Sequence, residues 1–191
     1  MNKIKTIDEL YVALDELLAG ISTVCTDCHD EDCKGYMWLL PVEADVLFEA
    51  GVSLLEVNDS INFINPFSDG QPLNIEQVKP SCSLCLNRLC TIHQIRPLVC
   101  RLYPLNFVSE DGKVYLVLHL DCPFANEHQD NEVFKQNAIK LIQSMAHSLF
   151  TVVIETFKSV DDITKFPDGS NRYLRLACLQ DIRPNRKEKL P

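Results

Sequence analysis

Two cysteine triplets with the same spacing restrict this chain more than any other feature. Cys25, Cys28 and Cys33 form a C-x2-C-x4-C run, and Cys82, Cys85 and Cys90 repeat it. A C-x2-C turn lets two sulfurs converge on one ion, at about 2.3 Å for zinc. The third cysteine of each run, five residues on, returns to the same centre if the loop folds back. Each triplet therefore offers three ligands, and a four-coordinate ion needs one more. Cys100 and Cys122 follow the second triplet. Eight of the nine cysteines, from Cys25 to Cys122, are thus the expected metal ligands, enough for two four-thiolate sites. The spacing leaves their grouping open, along with a histidine ligand or a position open to substrate.

The alternative use of so many cysteines is a disulfide framework. The odd count and the amino terminus argue against it. Met1-Asn2-Lys3-Ile4-Lys5 gives way to Asp8, Glu9, Asp15 and Glu16, where an export signal needs an unbroken apolar stretch. The longest apolar runs are short and interrupted by charge, so no membrane span is expected. The expected location is the cytoplasm, where thiols stay reduced. Acidic residues outnumber basic ones by 27 to 18, a net charge of −9. That balance disfavours a nucleic-acid partner, which calls for a basic face. The partner implied is a metal ion, with a protein partner left open.

Within this acidic chain, basic residues gather near the cysteines: Lys34, Arg88, Arg96 and Arg101. Four thiolates around a divalent ion leave net negative charge, which nearby cations offset. Arg96 and Arg101, in Arg96-Pro97-Leu98-Val99-Cys100-Arg101, are the better candidates for that role. All-cysteine ligation suits zinc and iron–sulfur clusters alike. Cys122-Pro123 matches the Cys-Pro that closes a bacterial ferredoxin run. Cys82 and Cys85 as a dithiol redox pair would call for a thioredoxin-like βαβ setting, and the sequence shows none. His29 is read as an exposed loop residue, and His93 as a possible hydrogen-bond partner of a thiolate. His119, His128 and His147 lack ligand spacing. Cys178, distant from the rest, is read as a buried thiol.

The cysteines are embedded in an ordinary globular pattern, with 46% hydrophobic and 24% charged residues. Thr6-Ile7-Asp8-Glu9 has the form of a capping box, and Leu10, Leu14, Leu17, Leu18 and Ile21 follow at helical spacing, predicting a helix over 6–21. Pro41 opens a second helix that stops at Gly51. Residues 54–57 and 61–64 read as strands, and Asp69-Gly70 as a turn. Residues 105–108 and 114–118 flank Asp111-Gly112 and predict a hairpin that delivers Cys122. A long packing helix is expected over 132–157, broken off before Phe166-Pro167-Asp168-Gly169. One more short apolar element follows at 173–179, then a basic tail from Arg183. The expected fold is α+β: a small helical and β-hairpin domain with cysteine-rich metal-binding loops and a long C-terminal packing helix. Its segments are an N-terminal helix (1–24), the cysteine-cluster metal-binding domain (25–123) and a helical extension (124–191).

The stretch Cys90-Thr-Ile-His-Gln-Ile-Arg96-Pro97-Leu-Val-Cys100-Arg101-Leu-Tyr103-Pro104 resembles the YkgJ-type cysteine-cluster family. The resemblance covers residues 25–123, and its R-P-x-x-C-R-x-Y-P core is specific. Cys25, Cys28 and Cys33 match that family's first cluster, and Glu43 falls where its helix glutamate is expected. Cys82, Cys90, Cys100 and Cys122 match its later cysteines. The resemblance implies a zinc- or iron-chelating domain in a family that includes flagellin lysine N-methylases. Three departures stand out: Lys34 where a second adjacent cysteine is usual, Cys85 as an addition, and His93 in place of tyrosine. Three functions follow as expectations. The first is a metal-binding protein with one or two cysteine-ligated centres, zinc or iron–sulfur. The second, on resemblance alone, is an iron–sulfur oxidoreductase or protein lysine N-methylase. The third is a zinc-stabilised protein-interaction module.

Overall fold

A computed structural model describes residues 3–21, 37–57, 61–65, 82–86, 89–163 and 172–179. Cys25, Cys28, His29, Cys33, Lys34, Asp69-Gly70, Arg88, Phe166-Pro167-Asp168-Gly169 and the basic tail lie outside the described residues. So does the side chain of Cys85. The fold mixes helices with antiparallel sheets.

Helix α1 (Ile7–Leu17) begins where the capping box places it. Thr6 Oγ1 accepts from the Glu9 N–H at 3.2 Å, and Glu9 accepts from the Thr6 N–H at 3.3 Å. It stops four residues short of the expected Ile21, because Leu18 leaves helical geometry and Gly20 follows with φ +93°. Strand β1 (Trp38–Leu39) leads into α2 (Pro41–Glu49), closed by Gly51 at φ +78°. Strands β2 (Leu54–Val57) and β3 (Ile61–Ile64) fall where expected, and the sheet order is β1-β3-β2. A small hairpin, β4 (Cys85–Leu86) and β5 (Leu89–Cys90), carries the last two cysteines of the second triplet, and Cys82 precedes it. Helix α3 (Leu98–Leu102) comes next.

The predicted hairpin is β6 (Leu105–Glu110) and β7 (Lys113–His119). Asp111 and Gly112, at φ +51° and +73°, make the left-handed pair of residues that a two-residue hairpin loop requires. Strand β8 (Tyr173–Cys178) adds the third strand of that sheet, pairing with β7. Helix α4 (Pro123–His128) starts on Cys122.

The single long helix expected over 132–157 is two helices, α5 (Glu132–Gln143) and α6 (His147–Ile163). The amino-terminal segment occupies the break. Ile4 N–H donates to the Ser144 carbonyl at 2.8 Å, the Ala146 N–H donates to the Ile4 carbonyl at 2.6 Å, and Ile4 bridges Met145 in parallel. The apolar face continues across the corner, so periodicity alone could not mark it. Phe134, Ala138, Leu141, Ile142, Met145, Val153 and Phe157 all enter the main core.

Sheet β1-β3-β2 lies between two cores. Trp38, Ile61 and Phe63 join the main one, built from α1, α3, β6, β7, α5 and α6. The main core draws on all three sequence segments, 1–24, 25–123 and 124–191. Leu39 and Ile64, on the opposite face, join Ala44, Leu47 and Val52 in a small second core. Met37, Leu54, Leu84 and Ile92 pack against this second core.

Because Ile4 is almost fully buried at the α5–α6 corner, Ile4→Ala should destabilise the protein by about 2–5 kcal/mol. Urea denaturation followed by far-UV circular dichroism measures it; a loss below about 1 kcal/mol would show that the corner holds without this side chain.

Candidate metal centre

The β4–β5 hairpin is pinned at both ends. Leu84, just before Cys85, and Ile92, just after Cys90, both rest on the second core. Thr91 N–H donates to the Leu84 carbonyl at 2.9 Å, and its hydroxyl donates to the same oxygen at 3.1 Å. Ser83, inside the Cys82–Cys85 turn, donates its hydroxyl to the Asn65 carbonyl at 2.7 Å. Within this frame Cys85 and Cys90 are direct cross-strand partners. Cys82 and Cys90 are each partly exposed.

Cys100 lies in the middle of α3, with its Sγ 3.7 Å from Met37 Sδ. Met37 packs on the same second core as Leu84 and Ile92. Cys100 thus touches one residue of that core's rim, and the hairpin's Leu84 and Ile92 pack on the same core. Met37 stands four residues after Cys33 in the sequence. Cys122 is placed differently: it caps α4 and is buried within the main core. Among the described residues, no three His, Cys, Asp or Glu side chains form a group able to hold a metal ion. Cys25, Cys28 and Cys33 fall outside those residues, as does the Cys85 side chain.

Helix α3, which carries Cys100, is fixed by a buried carboxylate. Glu43 is 5% exposed and sits at the third position of α2. Its Oε2 accepts from the Leu40 N–H at 2.7 Å, capping its own helix. Its Oε1 accepts from the Leu98 N–H, the first of α3, at 2.5 Å, and from the Tyr11 hydroxyl of α1. One side chain thus ties three helices. Burial pushes the Glu43 carboxyl above its ordinary range, against these hydrogen bonds and the Arg101 charge, which pull it down. Burial, together with the adjacent carboxylate, also pushes the Tyr11 hydroxyl up, so it remains a donor.

The two arginines expected near thiolates grip α1 and the main chain. Arg101 pairs with Asp15 at 2.8 Å, lies 4.4 Å over the Tyr11 ring, and donates to the carbonyls of Arg96 at 3.0 Å and Gln94 at 2.8 Å. Arg96 reaches the same Asp15 at 3.2 Å. Asp15 already supplies a counter-charge to both, so their placement of α3 against α1 stands apart from any role toward sulfur. Tyr11 and Asp15 went unmarked in the sequence; their spacing of four, which places both on one helical face, is the signal that points to them.

Cys178 is half-buried on β8 rather than buried, opposite Tyr115. His93 is exposed in a short 3-10 turn. His119 lies beside Asn106, Tyr103 and Tyr173, and His128 stacks on Phe124. His147 is exposed at the start of α6.

Comparisons with family models, curated proteins and solved structures return no match. No helix among the described residues is long and apolar enough to cross a membrane.

Removing Glu43 strands two buried backbone donors and the part-buried Tyr11 hydroxyl. Glu43→Ala should cost about 3 kcal/mol or more, and Tyr11→Phe about 1–3 kcal/mol, in urea denaturation. A Glu43→Ala loss smaller than that of Tyr11→Phe would contradict the carboxylate's central role. The carboxyl also sets a pH signature. A folded-state pKa above the unfolded one means that stability falls as pH rises between the two values. On acidification from neutral pH toward the ordinary glutamate range, the wild type should gain stability relative to Glu43→Gln. Melting temperatures of both proteins across that window check the sign.

Proposed function

We propose that this protein binds metal through its cysteines, in one or two thiolate-ligated centres holding zinc or an iron–sulfur cluster. The observation that carries the reading is the cross-strand register of Cys85 with Cys90, on a hairpin that Cys82 precedes by three residues. Two ligands about 2.3 Å from a tetrahedral ion lie roughly 3.8 Å apart. Opposed residues on antiparallel strands are among the few backbone arrangements that offer two side chains at such a separation. Cys100, whose sulfur touches Met37, is assigned as a further thiol ligand. Cys25, Cys28, Cys33 and Cys122 complete the proposed ligand set, which the resemblance to the YkgJ-type family also favours. The metal-binding segments are thus residues 25–33, residues 82–90, α3 and Cys122.

The chain's own residues have definable parts in this scheme. Leu84 and Ile92 hold the hairpin on the second core. Glu43 holds the amino end of α3, and Arg101 braces α3 against α1. Among the described side chains, Cys82, Cys90 and Cys100 lie outside the main core, whereas Cys122 lies within it. Metal held by the hairpin thiols therefore stabilises the hairpin and its surroundings more than the body of the protein.

Metal analysis and acid-labile sulfide assay on the native protein, purified without oxygen, test the reading. Bound zinc without colour, or iron with sulfide and broad visible absorption, supports it; protein free of both defeats it. Cys90→Ser and Cys100→Ser should each lower bound metal and the melting temperature. Unchanged metal content in both variants would remove these residues from the ligand set. Chelation should speed amide exchange at 82–91 while β6 and β7 keep their protection; equal loss throughout would show that metal holds the whole fold.

A further inference from the structure

From the β4–β5 register we infer that Cys85 and Cys90 are a modification site: a dithiol that closes to a cross-strand disulfide when a small-molecule disulfide oxidises the protein. Antiparallel residue pairs alternate between hydrogen-bonded and non-hydrogen-bonded. The bond from Thr91 N–H to the Leu84 carbonyl, 2.9 Å, marks 84 and 91 as a hydrogen-bonded pair. The next pair, Cys85 and Cys90, is therefore non-hydrogen-bonded, the kind in which Cα atoms stand closest, about 4.5 Å apart. A disulfide accepts Cα separations of about 4.4–6.8 Å, so the backbone need not move far to accept the bond. Cys82, by contrast, stands before β4, outside the β4–β5 register.

The chemistry balances by thiol–disulfide exchange. One cysteine, as thiolate, attacks a sulfur of the small disulfide, forming a mixed disulfide and releasing one small thiol. The second cysteine attacks the protein sulfur of that mixed disulfide, and the second small thiol leaves. Both protein thiols give up their protons, and the two electrons lost by the pair reduce the oxidant to two thiols. The consequence for metal rests on the function proposed above. A bonded pair, with sulfurs drawn to about 2.05 Å, no longer supplies two thiolates, so oxidation expels the ion and reduction restores its site.

The experiment uses the full chain, as purified and after chelation, exposed to oxidised glutathione. Peptide mapping without reduction, with fragmentation to assign the linkage, reads the product. Bound metal is measured by elemental analysis before and after. The expected result is a Cys85–Cys90 link as the main product, absent in Cys85→Ser and in Cys90→Ser and retained in Cys82→Ser and Cys178→Ser. Bound metal should fall in proportion to the linked fraction and return after dithiothreitol treatment. A main link between any other cysteines, stable glutathione adducts on both residues, or no link even after chelation overturns the inference. The two readings fail separately. Protein isolated without metal that still forms the link removes the proposed function alone. Protein that holds metal but links elsewhere removes the dithiol alone.

Discussion

A single buried carboxylate is the constraint on which the arrangement of the amino-terminal half depends. Burying Glu43 carries a desolvation cost, and only convergent donors make the position tolerable. Those donors come from three elements: the amino end of α2, the amino end of α3 and the Tyr11 hydroxyl of α1. None of the three can shift without stranding a polar group. Asp15 and Arg101 add a second tie between α1 and α3 at the protein's edge, where solvent weakens it. The position of Cys100 is thus set by groups that have no sulfur chemistry of their own.

The two cores divide the labour. The large one, fed by α1, α5, α6 and the β6-β7-β8 sheet, gives the chain enough buried apolar surface to fold on its own account. The small one, on the far face of β1-β3-β2, seats the cysteine hairpin through Leu84 and Ile92. Segments seated on the small core can open at lower free energy than global unfolding, as regions of few buried contacts do. Cys122, buried in the large core, lacks that freedom.

Much of the scaffold was legible in the sequence because local signals and tertiary placement agree. The Thr6 capping box, Pro41 at a helix start, Gly51 at its end, the strands at 54–57 and 61–64 and the Asp111-Gly112 hairpin all appear as the residues predict. The α5–α6 corner was not legible, because its apolar stripe runs on through Met145 and the break is satisfied by Ile4, from the other end of the chain. Cysteine spacing pointed to Cys85 and Cys90, but not to their facing one another, since register is a property of the folded pair. Arg96 and Arg101 were read for charge toward sulfur, whereas Asp15, eighty-odd positions away, takes up their charge. Single-sequence reasoning sees which residues can do chemistry near one another along the backbone. It does not see which distant carboxylate reaches them first.

The Ile4 contact has a consequence for how the protein is made. Ile4 completes a corner whose other side, Ser144 to Ala146, is synthesised much later. Until that stretch has left the ribosome, α1 has no corner to dock its leading residues into, and the main core stays unfinished. Closing this corner joins contacts of very large sequence separation, which are the slow ones to form.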